Sequence, residues 1–334
     1  MKKFLIIQTS FIGDVVLATA LAEKLHARYP GTQIDFLLRK GNEGLLRDHP
    51  FIHKVWVWNK KERKIPNLLR LCREIRKERY DAVINPHRFA SSGLVCLLSG
   101  AKFKSGFDKN PLSVAYTHKY PHIIAESAAG PYLHETQRNQ LLVQELTDKQ
   151  AMHPALYPTP ADYERVKAWK GKPYICIAPS SVWFTKQFPA EKWVSFITAL
   201  PGNLTVYLLG APSDVTLANQ LIEASRRKNI ENLCGQLDFL QSAALMKDAV
   251  MNYVNDSAPM HFCSAVQAPV TAVYCSTVPS FGFGPLGDDA HIVQLASPLY
   301  CRPCGLHGHK ACPEGHFRCA MEITSQQLLA TLPA

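Results

Sequence analysis

The fold is indicated near the start of the chain, where residues 4–31 read FLIIQTSFIGDVVLATALAEKLHARYPG. The short apolar run Phe4–Ile7 is typical of a buried strand. The segment Asp14–Tyr29 that follows predicts a helix, which Pro30-Gly31 would end. A buried strand that leads directly into a helix is typical of α/β proteins with a parallel sheet.

The same alternation of strands and helices continues along most of the chain. Further strands are predicted at Ile34–Leu38, Val55–Trp58, Asp81–Asn85, Tyr174–Ala178, Thr205–Leu209, Asn232–Leu233, Val250–Asn255 and Val270–Cys275. Further helices are predicted at Pro66–Arg79, His134–Leu146, Ala190–Leu200, Asp214–Arg226, Phe239–Lys247, Ser257–Val266 and Ser325–Leu332. Residues 108–133 show no clear periodicity, and the prolines of residues 147–173 indicate an interdomain connection. We therefore expect two doubly wound α/β domains, residues 1–165 and 166–334, with a ligand site in the cleft between them.

Composition narrows the function classes. Of the 334 residues, 47% are hydrophobic and 19% are charged, which excludes a disordered or fibrous chain. No apolar run approaches the roughly 18 residues that a membrane-spanning helix needs. The apolar stretch at the N-terminus ends at Gln8, too early for a secretory signal, so a cytoplasmic protein is expected.

Charge is distributed unevenly between the two halves. Residues 1–170 contain 27 Lys and Arg against 16 Asp and Glu, a balance of +11, whereas residues 171–334 contain 10 against 11, a balance of −1. The basic half is expected to meet an anionic partner such as nucleic acid, a phosphorylated glycan or an acidic membrane surface. The alternative is a solvated basic face without a partner.

Three loops lie where a doubly wound sheet binds ligands, after the carboxyl ends of predicted strands. In the first, Gly13 allows close backbone approach and Asp14 lies in the first helical turn, as a catalytic carboxylate or as a simple cap. The second, residues 178–189, combines serine hydroxyls with the lone Lys186 and suits a phosphate. The third, residues 255–261, begins a helix at Asp256 or Ser257 and would aim free N–H groups at an anion.

The chain resembles the heptosyltransferases of glycosyltransferase family 9 at four places in order. These are Ser10–Val16, Pro179–Trp193, the pair Asn232–Gln236 and Asn255–His261, and a C-terminal cysteine block. The resemblance spans both halves and implies the GT-B fold, in which two Rossmann-like domains face each other across a cleft. It also implies an inverting transfer of heptose from ADP-heptose to the lipopolysaccharide inner core, with no metal required for catalysis.

The resemblance also implies roles for single residues. Asp14 resembles the catalytic base, and Lys186 resembles a catalytic contact to the donor phosphates. The donor-binding set implied in this way is Ser180, Ser181, Lys186, Gly210, Asp214, Asp256, Ser257, Ala258, Pro259, Met260 and His261. The chain departs from the family in Ala258, where Gly is usual, and in Gln187, where Arg is usual.

The acceptor is expected on the basic half. The stretch Lys60–Arg79 contains nine Lys or Arg against three acids, which fits an anionic glycolipid at the inner face of the inner membrane, with about 1 kcal/mol per basic residue near such a surface. Gly13, Arg63, Lys64 and Arg70 are the candidate acceptor-binding residues. The stretch has almost no interleaved aromatic residues, so nucleic acid is not expected as a partner. A GT-B transferase with another donor or acceptor, and a non-catalytic nucleotide-sugar-binding protein, remain alternatives.

The cysteine block contains Cys301, Cys304, Cys312 and Cys319 within 19 residues. Four thiolates can satisfy a tetrahedral zinc ion, although the second pair is not the usual C-x-x-C. Reduced free thiols are the expectation for a cytoplasmic chain, and disulfides are the third possibility. The sequence leaves these three alternatives open.

Overall fold

The computed structural model describes residues 2–124 and 132–333, which form two compact units. Unit 1 is built from residues 2–124 and 133–157, and unit 2 from residues 132 and 158–333. The division after residue 157 lies a few residues before the expected domain boundary.

Unit 1 contains one six-stranded sheet in which every strand pairing is parallel. Its strands are β1 (Lys3–Ile7), β2 (Gln33–Arg39), β3 (Ile52–Trp58), β4 (Ala82–Asn85), β5 (Phe103–Phe107) and β6 (His118–Tyr120). Its helices are α1 (Ile12–Arg28), α2 (Lys64–Lys77), α3 (Ala90–Leu98) and α4 (Glu135–Leu141). The strand order is β3-β2-β1-β4-β5-β6, with Phe4 of β1 opposite Ile34 of β2 and Ala82 of β4. The order reverses between β1 and β4, the place where doubly wound sheets bind ligands.

Unit 2 repeats this architecture. Its strands are β7 (Tyr174–Ala178), β8 (Thr205–Leu208), β9 (Ile230–Asn232), β10 (Met251–Asn255), β11 (Val270–Tyr274) and β12 (Ala290–Gln294). Its helices are α5 (Pro160–Val166), α6 (Ala190–Ala199), α7 (Val215–Ser225), α8 (Phe239–Lys247), α9 (Ala258–Val266), α10 (Arg318–Met321) and α11 (Ser325–Leu329). The parallel order is β12-β11-β10-β7-β8-β9, and Cys176 of β7 lies opposite Asn252 of β10 and Tyr207 of β8. The strand order therefore reverses between β7 and β10.

Both cores are built on strands that are buried along most or all of their length. All five residues of β7 and all four of β4 are buried, as expected for a parallel sheet covered on both faces. In unit 1, Trp58 and Ile75 pack into the core on the side of α2. In unit 2, Trp193 and Phe196 of α6 belong to the core.

The prediction of two doubly wound α/β units is confirmed, but several elements were missed. Residues 147–173 were expected to form only a connection, yet they contain α5. Its Thr159 cap accepts from Asp162 N, and Pro160 is its first residue, a position that proline favours. The helix predicted at His134–Leu146 ends at Leu141. Of the aperiodic region 108–133, residues 118–120 form β6, and residues 125–131 lie outside the described residues. The strands β5 and β12 and the helix α3 were not predicted.

Across residues 2–124 and 132–333, no helix combines the length and the apolar character needed to cross a bilayer.

Candidate functional site

In unit 1, polar groups gather where the strand order reverses. The loop after β1 and the loop after β4 meet there, with Thr9 Oγ1 3.3 Å from His87 Nδ1. Asn42, which follows β2, donates to Ser10 O at 3.2 Å. Three neighbouring strands thus place polar side chains at one edge of the sheet, as the parallel topology dictates.

Asp14 lies in the first turn of α1 at this edge. Its Oδ2 accepts a hydrogen bond from Phe11 N at 3.2 Å, so the cap expected from the sequence is present. Burial raises the pKa of Asp14, and the negative charge of Glu135 raises it further. The pKa of Asp14 is lowered in part by hydrogen bonds from the Ser10 hydroxyl and the Phe11 N–H and by the charge of Arg88. A carboxylate with a raised pKa is suited to accept a proton in a reaction. Gly13 is the second residue of α1.

Glu135 belongs to a buried ionic group that the sequence analysis did not identify. Arg138 donates to Glu135 Oε2 from Nε at 2.8 Å, and its Nη2 lies 2.8 Å from the same oxygen. His122 Nε2 lies 3.8 Å from that oxygen. Burial raises the pKa of Glu135, but the nearby His122 and the charge and hydrogen bond of Arg138 lower it overall. Glu135 therefore stays ionised and supplies the negative charge that acts on Asp14.

A basic pocket of about 240 Å³ opens at the same edge of unit 1. Its lining consists of Thr9, Ser10, Phe11, Arg39, Trp58, Lys60, Lys64, His87, Phe89 and Ser91. Three of these residues are cations. Lys60 donates to Thr9 O at 2.7 Å, and its Nζ lies 4.7 Å from the centre of the Trp58 ring. The Arg39 guanidinium lies 5.0 Å from the Phe11 ring. Cations held beside aromatic rings suit an anionic ligand that also has an apolar face.

Two groups in this pocket have strongly shifted pKa values. Burial, together with the charges of Arg39 and Lys64, lowers the pKa of Lys60 to about 8. Burial and the charges of Lys60 and Arg88 lower the pKa of His87 to about 3. His87 is therefore a neutral imidazole at physiological pH, and Lys60 can lose its proton in mildly alkaline solution.

The predicted acceptor residues separate into two groups. Lys64 lines the pocket. Arg63 is exposed, with a left-handed φ of 42° immediately before α2, and lies outside the lining. Arg70 also lies outside it, on the exposed face of α2, 3.9 Å from Glu74 Oε1. Arg39 was not predicted, and Lys60 was predicted only as part of the basic stretch Lys60–Arg79. Each lies at or just beyond the carboxyl end of a predicted parallel strand, which was the available signal.

In unit 2, Lys186 and Asp256 are brought together by the loops after β7 and β10. Lys186 Nζ lies 2.7 Å from Asp256 Oδ2, with side chains only 16% and 9% exposed. Thr277, which follows β11, donates to the same oxygen at 2.6 Å. The Asp256 carboxylate thus neutralises the ammonium and holds it in place.

The loop between β7 and α6 is closed by two amide side chains. Asn255, at the end of β10, donates to Pro179 O at 2.7 Å and accepts from Phe188 N at 2.9 Å. Gln187 donates to Ser181 O at 2.6 Å. Gln187, named above only as a departure from the usual Arg, therefore fixes the loop. Within the described residues, the hydroxyls of Ser180 and Ser181 have no hydrogen-bond partner, so they are available to a ligand.

The start of α9 differs from the prediction that Asp256 or Ser257 caps it. Asp256 binds Lys186 and Thr277, and the Ser257 hydroxyl donates to Asn255 O at 3.4 Å; within the described residues neither side chain caps α9. Pro259 has no N–H, and Met260 N donates to Ser257 O at 3.1 Å.

Among the residues that the structure describes, the amides of Ser257 and Ala258 have no acceptor, so they remain at this helix end for an anion. The side chains of Met260 and His261 are buried, so a ligand outside the helix end would meet neither of them directly.

Gly210 and Asp214 form a compact turn after β8. Asp214 Oδ2 accepts from Ala211 N at 2.8 Å. A Cβ on Gly210 would lie 2.7 Å from the same Asp214 oxygen and 3.0 Å from Cys234 Sγ, so only glycine fits there. The Asp214 carboxylate thus caps the turn, and its role in donor binding stays a prediction.

The four cysteines of the C-terminal block are free thiols. Cys319 is buried and the other three are half-buried. Burial raises the pKa of Cys319 to about 11, Arg302 lowers it, and charge on Cys312, Cys301 and Cys304 raises it, so the four sulfurs are electrostatic neighbours. Nevertheless, no group of three or more His, Cys, Asp or Glu within residues 2–124 and 132–333 is arranged to hold a metal ion.

Comparison with known proteins gives consistent results. A model of glycosyltransferase family 9 (heptosyltransferase) matches residues 68–315. The lipopolysaccharide heptosyltransferase 2 of Escherichia coli K12 is 24% identical, covering 99% of this chain and 98% of that protein. The lipopolysaccharide heptosyltransferase 3 of Escherichia coli is 26% identical, covering 80% and 82% respectively. The solved structure of the Escherichia coli ADP-heptose lipopolysaccharide heptosyltransferase II superposes with a TM-score of 0.78 at 21% identity, covering 99% of this chain and 97% of that one.

Proposed function

The chain belongs to glycosyltransferase family 9, and from this premise we propose that it transfers heptose from ADP-heptose to the lipopolysaccharide inner core with inversion at the anomeric carbon. The observation that supports this most directly is the pair of sites at the two sheet reversals. Unit 1 offers a carboxylate of raised pKa beside a basic pocket, and unit 2 offers a half-buried lysine beside free hydroxyls and amides. A glycosyl transfer from a nucleotide diphosphate needs both sets of groups.

The proposed reaction is a single displacement. The acceptor hydroxyl oxygen forms a bond to the anomeric carbon while the bond from that carbon to the diphosphate oxygen breaks. Asp14 takes the hydroxyl proton as general base, and ADP leaves with the bonding electron pair. One displacement at one carbon inverts its configuration. The raised pKa of Asp14 favours this proton transfer as long as the group is ionised when the acceptor arrives.

The leaving group is assigned to unit 2. As negative charge grows on the diphosphate, Lys186 supplies an ammonium, Ser180 and Ser181 supply hydroxyls, and Ser257 and Ala258 supply backbone N–H groups. In this proposal Lys186 donates to the diphosphate while Asp256 keeps it in place. Gly210 and Asp214 are assigned to the nucleoside side because they lie at the neighbouring strand end.

The acceptor is assigned to the basic pocket of unit 1. An inner-core acceptor carries carboxylates and phosphates, and Arg39, Lys60 and Lys64 converge on one cavity that fits such groups. Arg63 and Arg70 on or beside α2 extend positive charge over the adjacent surface. We propose that this surface holds the protein at the anionic inner face of the inner membrane, as a peripheral protein.

The only metal considered in this proposal is a structural ion bound by the cysteine block. The catalytic step uses the side chains and amides named above and requires no metal. A structural zinc ion on Cys301, Cys304, Cys312 and Cys319 stays a prediction, which would need these thiols to move together. Elemental analysis of the purified protein beside a Cys301→Ser/Cys304→Ser variant tests it, since a bound ion would be absent from the variant.

The decisive experiment tests transfer itself. Purified protein is incubated with an inner-core acceptor and a panel of nucleotide sugars that includes ADP-heptose, ADP-glucose and UDP-glucose, and the product is identified by mass spectrometry and by the anomeric coupling in its NMR spectrum. Transfer from ADP-heptose with inversion is expected, and Asp14→Asn serves as the inactive control. Preference for another sugar, retention of configuration or binding without turnover would overturn the proposal.

A further inference from the structure

The segment that contains the four cysteines, residues 301–319, is anchored against the strand ends of unit 2. We call it the Cys-rich segment. Arg302 donates from Nε to Cys275 O at 2.7 Å and from Nη2 to Thr277 O at 2.8 Å. Cys304 N donates to Ser276 O at 2.8 Å. The start of the segment is therefore fixed to the loop that follows β11.

A second anchor is Thr185, a buried residue in the loop after β7. Its N–H donates to His309 O at 3.1 Å, and its Oγ1 accepts from His309 N at 2.8 Å. Ser276 Oγ donates to the same Oγ1 at 3.0 Å, and Ser276 N donates to Thr185 O at 3.3 Å. Four hydrogen bonds thus join Thr185 to the Cys-rich segment on one side and to the β11 loop on the other.

These contacts bear directly on the lysine of the donor site. Lys186 follows Thr185 in the chain, and its ammonium lies 2.7 Å from Asp256. Thr277 follows Ser276 and donates to the same carboxylate. Thr185 and Ser276 therefore directly precede Lys186, which carries the ammonium, and Thr277, which holds the carboxylate that the ammonium contacts.

We infer that Thr185 is a positioning residue for the leaving diphosphate and that the Cys-rich segment serves as its brace. The bonds from His309 and Ser276 fix the backbone before Lys186, so the ammonium is already placed when the donor binds. This inference rests on the proposed function for its catalytic consequence, whereas the bracing of Lys186 can be measured without any substrate. Preorganised charge of this kind is what stabilises a developing anion.

Gly308 provides independent support from the other side of the contact. It has a left-handed φ of 73°, and a Cβ there would lie 2.8 Å from Thr185 Oγ1 and 3.1 Å from Lys186 Cγ. The segment can therefore approach Thr185 this closely only with glycine at this position. Gly315, in the same segment, has a φ of 72° but open space around its Cβ position. The pair separates the effect of crowding from that of backbone strain.

The first test replaces the Thr185 hydroxyl. Thr185→Val removes the acceptor for His309 N and Ser276 Oγ at nearly constant volume, whereas Thr185→Ser keeps it. Thr198→Val is the matched control, because the Thr198 side chain is exposed and, among the described residues, its hydroxyl bonds only to Val194 O within α6. We expect Thr185→Val to raise the rate at which an amine reagent labels Lys186 several-fold, measured by mass spectrometry. The donor KM should rise about tenfold and the acceptor KM should stay constant, and neither change should occur in Thr185→Ser or Thr198→Val.

The second test decides the matter if Thr185→Val does not fold. Gly308→Ala should raise Lys186 labelling and donor KM as Thr185→Val does, whereas Gly315→Ala should cost stability without either change. Equal effects of the two glycine changes on labelling and on donor KM would overturn the inference, as would unchanged labelling in a folded Thr185→Val variant. If the parent protein does not use ADP-heptose, the proposed function fails, and the labelling pattern still reports whether Thr185 braces Lys186.

Discussion

The site in unit 1 and the site in unit 2 lie at equivalent places in two sheets of the same strand order, yet their charges are balanced differently. In unit 1, Arg39, Lys60 and Lys64 share one pocket, and their mutual repulsion contributes to the lowered pKa of Lys60. In unit 2, the ammonium of Lys186 is paired with Asp256 and is held by a network of short hydrogen bonds. The same fold can therefore place either a surplus of charge or a neutralised, prearranged charge at its ligand-binding edge.

Because of this difference in charge balance, we expect the two units to recognise their ligands in different ways. A surplus of positive charge attracts polyanions over a distance and is weakened by salt. A paired and hydrogen-bonded cation acts only on a ligand that is already in place, and its contribution depends on geometry. The overall balances of +11 and −1 in the two halves of the sequence follow the same division.

The largest effect on turnover is expected from replacing Asp14, the proposed general base of unit 1. Asp14→Asn should reduce turnover by at least about 10²-fold, the usual contribution of a general base, while the donor KM changes little. Burial raises the pKa of Asp14, so the folded state holds its proton more tightly than the unfolded state does. The stability linked to this group is therefore present at low pH and is lost as pH rises through the raised pKa.

At neutral pH the ionised Asp14 thus costs stability, and Asp14→Asn should leave the Tm unchanged or raise it. Asn can still accept the hydrogen bond from Phe11 N. Calorimetry and steady-state kinetics on the same preparation check both statements. A large fall in Tm together with the loss of turnover would mean that Asp14 is chiefly a structural cap.

The next effect concerns the paired cation of unit 2. Lys186→Ala should weaken ADP binding by about 10-fold to 100-fold, because a charge-assisted hydrogen bond to phosphate contributes about 1.5–3 kcal/mol. Lys172→Ala, at an exposed lysine of the same unit, is the control and should bind ADP normally. Titration calorimetry with ADP measures both. Equal affinities in the two variants would place Lys186 outside the phosphate site.

The sequence predicted the polar residues of unit 2 better than those of unit 1. Ser180, Ser181 and Lys186 lie in the loop after β7, and Ser257 lies just after β10. Both strands are buried along their whole length and were predicted from the sequence, so strand prediction alone placed these residues beyond strand ends. The hydrogen bonds and the ion pair among these residues could not be predicted. From the sequence, Asp256 is expected to cap α9, whereas in the structure it binds Lys186.

In unit 1 the pocket depends on tertiary packing. Arg39 and Lys60 are separated by 21 positions in the sequence and meet because β2 and β3 are neighbours. The ionic group around Glu135 was missed for a similar reason: His122 precedes α4, and nothing local shows that it returns to Glu135. The density of basic residues along the chain predicted an acceptor site on α2, where Arg70 is exposed, and did not identify the pocket.

A smaller effect should distinguish the two sites by salt. Raising the ionic strength from about 0.1 M to about 1 M shortens the Debye length from roughly 10 Å to roughly 3 Å. We expect the acceptor KM to rise several-fold and the donor KM to change by less than about twofold, since only the unit 1 site depends on surplus charge.

The same comparison can be made with variants. Neutralising Arg63, Lys64 and Arg70 together should reproduce the effect of salt and flatten the remaining dependence. Lys64→Gln alone should account for most of this change, and Arg70→Gln, outside the pocket, for little of it. Equal salt sensitivity of both KM values, with no effect of the triple change, would indicate a merely solubilising face.

The smallest effect is expected on the acceptor KM, from the loss of a proton by Lys60 in the unit 1 pocket. Because burial and the charges of Arg39 and Lys64 lower the pKa of Lys60 to about 8, Lys60 is charged below that pH and loses its charge above it. The acceptor KM should therefore rise a few-fold between about pH 7 and pH 9, while the donor KM stays level. Lys60→Arg keeps its charge over this range and should abolish the rise. Lys64→Gln should move the rise to higher pH, because one of the charges that lower the pKa of Lys60 is then gone. An unchanged pH profile in Lys60→Arg would show that another group titrates, and the contrast between the two sites would then have to be explained without Lys60.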